Sequence, residues 1–105
     1  MTQVQVPAVV NALITAQNDY DSTAFAGLFS NDAIVHDEGH THTGILEIKA
    51  WIEAANAKYA AALEPKSYND EVLEAVVSGN FEGSPATLHY HFTFDGDKIK
   101  ALSIG

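Results

Sequence analysis

Between Ala86 and Phe94 the chain alternates without a break: Leu88, Tyr90, Phe92 and Phe94 fall on every second position, with His89, His91 and Thr93 between them. Successive strand side chains point to opposite faces, so this stretch predicts a strand with one apolar side that must be covered. Asp95-Gly96-Asp97 is hairpin-turn material, and Lys98 to Ile104 supplies the strand that returns beside it. Val72 to Phe81 is a further strand, Lys66 to Asn69 a weaker one, and Glu82-Gly83-Ser84-Pro85 a turn. The second half of the chain therefore reads as a sheet.

The first half supplies the cover. Within Val6 to Gln17, the residues Val9, Val10, Leu13 and Ile14 recur at helical spacing, and Pro7 is tolerable in a first turn. Asn18 to Ser22 is a break, where Asp21 or Ser22 can cap a second short helix carrying Phe25, Leu28 and Phe29, ended by Ser30-Asn31-Asp32. The longest helix runs from Ile45 to about Ala62, with Ile48, Trp51, Ile52, Ala55 and Tyr59 on one face and Glu47, Lys49, Glu53 and Lys58 on the other; Pro65 stops it. Helices first and strands last give an α+β fold, with helices gathered on one face of an antiparallel sheet. At 105 residues, without repeats or linkers, the chain is expected to be one domain, 1–105.

Between the two halves lies Asp32 to Gly44, DAIVHDEGHTHTG, which suits a short strand, a turn at Gly39 and a second short strand at the mouth of a pocket. Side chains two apart share a face, so Val35 and Asp37 point one way while His36 and Glu38 point the other. Asp37 thus follows an apolar residue into the interior. Desolvation there raises a carboxyl pKa and makes Asp37 a candidate general base or acid; the alternative is a carboxylate hydrogen-bonded to backbone near the turn. Trp51 and Tyr59 read either as pocket lining or as helix-to-sheet packing, and Tyr90 needs a partner for its hydroxyl if buried.

Charge excludes several partners. Five lysines, no arginine and fourteen acids give a formal net charge of −9, which leaves no basic field for a nucleic acid backbone. Without arginine there is no bidentate clamp for phosphate or carboxylate, so a neutral small molecule is the better ligand. No apolar run approaches the roughly 20 residues of a membrane span. The first residues, MTQVQVPAVV, lack a basic n-region, so no signal peptide and a cytoplasmic location are expected, in keeping with the absence of cysteine.

His40-x-His42 and His89-x-His91 each set two imidazoles on one strand face, the spacing of a possible four-nitrogen metal site. His89 and His91, however, lie opposite Tyr90 and Phe92, outside any interior. No metal and no cofactor is therefore expected, and His40 and His42 are left as rim residues able to polarise a ligand or pair with Asp37. The outward sheet face of His89, His91 and Thr93, poor in charge for so acidic a chain, predicts a homodimer.

FAGLFSNDAIVHDEG, THTG, IKAWIE and LHYHFTFDGDKIKAL, in that order, resemble the SnoaL-like branch of the nuclear transport factor 2-like superfamily. The resemblance spans nearly the whole chain. It implies a cone formed by a strongly curved sheet around the long helix, an internal pocket, and frequent homodimers. The superfamily includes ketosteroid isomerases, polyketide cyclases, dehydratases and pure binding proteins, so function does not follow from fold. Against the isomerase pattern, Asp37 falls where that family keeps its general base. The isomerases' oxyanion tyrosine corresponds here to Leu13, and their protonated aspartate to Tyr90.

Three classes of function remain open. The chain is a small-molecule-binding protein with a pocket for a neutral, largely apolar ligand, lined by Leu13, Phe25, Phe29, Val35, His42, Trp51, Tyr59 and Phe92. Alternatively, it is an isomerase, cyclase or dehydratase that abstracts a proton beside a carbonyl, with Asp37 as base and Tyr90 or His40 as donor. The third class is a dimerisation module with a filled interior.

Overall fold

The computed structural model describes residues 5–37 and 39–105, in which three helices pack against a curved six-stranded sheet. The first helix, α1 (Ala8–Asn18), begins two residues later than its apolar pattern, because Pro7 is extended (ψ 154°) and sits at the N-cap. Val10, Leu13, Ile14 and Gln17 form its buried face. The single-turn α2 (Ser22–Ala26) is capped by Asp21, whose carboxylate accepts from the Ala24 N–H at 3.0 Å.

Helix α2 ends at Ala26, short of Leu28 and Phe29, so Ser30-Asn31-Asp32 does not end it as expected. This stretch lies inside β1 (Phe29–Asp37), where an irregular register between Phe29 and Ile34 leaves Asn31 and Asp32 exposed while Phe29, Ala33 and Val35 stay buried. The hairpin partner β2 (His40–Thr43) pairs His36 with Thr41 and Asp37 with His40. His36 is exposed, as its parity requires; Glu38 lies outside the described residues.

The long helix α3 (Ile45–Tyr59) ends before Pro65 rather than at it. Ala60 turns left-handed (φ 48°, ψ 48°) and closes the helix, and β3 (Ala62–Asn69) already runs through Pro65. Three side chains near the end of α1 hold this corner. Asn18 donates to the Leu63 carbonyl (3.0 Å) and accepts from its N–H (2.8 Å), Tyr20 donates to the Ala60 carbonyl (3.1 Å), and Gln17 donates to that of Ala61 (3.1 Å). Pro65 is tolerated because β3 is an edge strand with a bulge at that point.

The remaining strands are β4 (Val72–Ser78), β5 (Ala86–Asp95) and β6 (Lys98–Ile104), giving the order β2-β1-β6-β5-β4-β3. The sheet is mixed rather than wholly antiparallel, since β1 and β6 run parallel. β4 stops three residues short of Phe81 because Gly79 passes directly under the end of α3: a Cβ there would lie 2.5 Å from the Tyr59 carbonyl oxygen, to which the Asn80 N–H donates at 2.7 Å. Irregularities in β1, β3 and β5 add local bend and twist, which curl the sheet around α3.

The core lies between that concave face and the helices. Leu13, Phe29, Val35, Ile48, Leu73, Ile99 and Leu102 are fully buried, each contributing about 1.5–3 kcal/mol of transfer free energy. No helix among the described residues is long and apolar enough to cross a membrane.

Candidate functional site

Packing is incomplete at one end of the concave face, leaving a cavity of about 380 Å³ between α3 and the sheet. Most of its wall is apolar: Leu13 from α1, Phe25 from α2, Ile52 and Ala55 from α3, Leu88 and Ile104 from β5 and β6. Two groups of polar side chains interrupt this lining, and exposed Glu82 stands at the rim.

The first group comprises Asp37, Trp51 and Tyr90. β1 delivers Asp37 on the same face as buried Val35, and the Trp51 indole Nε1–H donates to its Oδ2 at 3.1 Å. An indole nitrogen only donates, so this bond requires the carboxyl oxygen as acceptor. Trp51 is in turn stacked on His42 (centroids 5.5 Å, 26°) and tilted against Phe25 (5.9 Å). Tyr90 is 8 % exposed. Burial pushes its phenol well above the ordinary value of 10.0, and the Asp37 charge pushes it further. It is therefore a protonated donor throughout the physiological range, beside a carboxylate.

The second group is Gln17 and Asn56. Gln17 is 7 % exposed; its Nε2 donates to Asn56 Oδ1 and to the Ala61 carbonyl, each at 3.1 Å. Neither residue is among the candidates the sequence offers, yet Gln17 carries a signal: it continues the Val10, Leu13, Ile14 spacing, where a polar side chain on a core face calls for a partner. Asn56 follows Ile52 by four residues on α3 and had no comparable mark.

No family model and no curated protein matches the sequence, whereas solved structures match it over nearly its whole length. A polyketide-cyclase candidate from Sinorhizobium meliloti is 36% identical with a TM-score of 0.89, and the alignment covers 95% of each chain. The chain belongs to the SnoaL-like branch of the nuclear transport factor 2-like superfamily. A second polyketide-cyclase candidate, from Pseudomonas putida, is 25% identical with a TM-score of 0.72, covering 92% of this chain and 87% of its own. A protein with a ketosteroid isomerase-like fold from Catenulispora acidiphila, solved with trimethylamine, is 23% identical with a TM-score of 0.83, covering 96% and 86%.

Within this SnoaL-like cone, Leu13, Phe25, Asp37, Trp51, Tyr59 and Tyr90 line the cavity. Tyr59 meets Phe81 edge-on at 6.0 Å near its mouth. Phe29 and Val35 do not line it: both belong to the close-packed core, at 1% and 0% exposure. Phe92 is likewise core, stacked on Phe94 at 5.6 Å, because the cavity reaches only as far along β5 as Tyr90. His42 is stacked on Trp51 and does not line the cavity. His40, offered as a rim donor, opens the edge strand β2 directly after the turn and is exposed away from the lining. His89 and His91 are exposed on β5, separated from β2 by β1 and β6. Among the described residues no group of three or more His, Asp or Glu converges as a metal site.

Proposed function

We propose that this SnoaL-like protein binds a neutral, largely apolar small molecule inside the cone, anchored at Asp37, Trp51 and Tyr90. The supporting observation is the apolar cavity of about 380 Å³ with its hydrogen-bonding groups gathered at Asp37, Trp51 and Tyr90 and at Gln17 and Asn56, in a chain without arginine. A thermal-shift screen of cyclic ketones and aromatic polyketide-like compounds tests it. A ligand at 100 times its Kd stabilises by about 2.7 kcal/mol, a readily measured rise in Tm. If no member of the panel raises Tm, the binding reading fails and a module without ligand takes its place.

One observation favours a catalytic reading of the same site. A carboxylate and a protonated phenol face one apolar space, the pairing needed for proton transfer at a carbon beside a carbonyl. Asp37 takes the α-proton, the C–H electron pair moves into the enolate, and the enolate oxygen accepts from the Tyr90 O–H. Returning the proton completes an exchange or an isomerisation. Leu13 supplies no second donor where the isomerases have a tyrosine, so the oxyanion site is the weaker for it, by about 10²-fold or more in rate. Deuterium uptake at the α-carbon of 2-tetralone in D₂O, followed by NMR, provides the test. Exchange no faster than in buffer alone would remove the enzymatic reading while leaving the binding one.

The outer face of β5, where exposed His89, His91 and Thr93 carry little charge, further supports a homodimer as a proposal of its own. Sedimentation of a clean monomer at micromolar concentration would sink it.

A further inference from the structure

Gln17 and Asn56 hold a polar contact at a place where packing alone would favour two apolar residues. The Ala61 carbonyl can only accept, so the Gln17 atom beside it is the amide nitrogen, and the second Nε2 hydrogen then goes to Asn56 Oδ1. Each amide therefore uses one end. Gln17 Oε1 and Asn56 Nδ2 make no hydrogen bond among the described residues, and neither belongs to the side-chain atoms sealed from solvent without a partner, of which Ser30 Oγ is the one found there. Both residues line the cavity.

The structural role of Gln17, fastening α1 to the start of β3, is carried out by Nε2 alone. What remains is a carbonyl acceptor and an amide donor on two linked side chains, one of them more than nine-tenths buried. Leaving such groups unsatisfied inside an occupied, dehydrated cavity disfavours binding, because their hydrogen bonds to water are lost and not replaced. An apolar ligand end would incur that cost; a hydroxyl would not, since its O–H donates to Gln17 Oε1 while its lone pair accepts from Asn56 Nδ2.

We propose that Gln17 and Asn56 form a second recognition pole of the cavity, so that the preferred ligand is a hydroxy ketone: carbonyl at Tyr90, hydroxyl at the amide pair. This rests on the cavity being a ligand site, as argued above. It adds a specificity element: the hydroxyl, rather than the carbonyl, distinguishes the true ligand from other flat ketones of similar size.

Matched probes test it: 2-acetylnaphthalene against 6-acetyl-2-naphthol, and the corresponding three-ring pair, titrated by Trp51 fluorescence and calorimetry. The wild type is expected to bind the hydroxylated member of at least one pair five-fold or more tightly than its parent. In Asn56→Leu, which keeps the branched shape of the side chain and lacks the donor, that preference, read as the ratio of the two Kd values, falls to two-fold or less. Should Asn56→Leu fail to fold, Asn56→Ala takes its place with the same expectation. Parent ketones that bind with no gain from the hydroxyl in either pair, or a gain that survives in the Asn56 variant, overturn the second pole and leave the binding site standing. If no probe of either kind binds, the cavity reading falls and the pole with it.

Discussion

The Nε1–H of Trp51 donates to Oδ2 of Asp37 at 3.1 Å, tying the middle of α3 to the end of β1 just before the hairpin turn. The bond orients a carboxyl group that lines the cavity, and the indole is itself held between His42 and Phe25. Trp51→Phe keeps an aromatic ring in that slot and removes the donor together with part of the indole's contact with His42 and Phe25, so the lost hydrogen bond sets a lower bound on the cost. A hydrogen bond to a charged, partly buried group makes the expected loss at least about 1–2 kcal/mol, read as a lower urea midpoint at unchanged slope. A variant as stable as the wild type would mean that the bond does not persist in solution.

Asp37→Asn leaves an amide oxygen able to accept from the same indole. Stability at neutral pH should therefore stay within about 1 kcal/mol of the wild type. A general base contributes about 10²–10⁴-fold, so any proton exchange at 2-tetralone should fall by at least that lower figure. Stability and exchange lost together would instead mark Asp37 as a structural carboxylate.

Tyr90 gives a pH dependence whose sign follows from its environment. Its folded pKa is raised above 10.0, first by burial and then by Asp37, so the folded state holds the proton more tightly than the unfolded chain. The resulting stabilisation is complete below about pH 10 and is lost as pH climbs through and beyond that value. Tyr90→Phe has no such proton, so its stability should fall less steeply above pH 10 than that of the wild type. Taking the difference between the two proteins removes the contribution of Tyr68, whose pKa is also raised. Parallel stability curves above pH 10 would count against a buried, protonated Tyr90.

Gly79 sets the spacing between β4 and the end of α3. An alanine there would bring Cβ to 2.5 Å from the Tyr59 carbonyl oxygen and 3.0 Å from Ala61 Cα, both backbone atoms that cannot rotate away. Gly79→Ala should cost about 1–3 kcal/mol by overpacking. Tyr59 and Ala61 both line the cavity, so ligand affinity should weaken alongside the thermal midpoint. An unchanged midpoint would show that this corner yields more easily than its contacts imply.

Periodicity in the sequence determined the elements and their faces: alternation along Ala86 to Phe94, helical spacing on α1 and α3, and the parity that sends Asp37 inward with Val35. Such patterns are local consequences of backbone geometry, so they can be read from one chain. The α+β order and the inward face of Asp37 were legible on that basis, the SnoaL-like cone was implied by the resemblance of the motifs, and tertiary contacts decided what no local pattern encodes. α3 stops at Ala60 because α1 side chains hold the corner there, and Pro65 is a strand residue because it falls on an edge. β1 lies parallel to β6 because residues distant in the chain meet at the middle of the sheet. The line between core and cavity was equally hidden. Phe29, Val35 and Phe92 match Phe25 and Tyr90 in character, and only the curvature of the sheet leaves the first three packed against neighbours and the last two facing an open space.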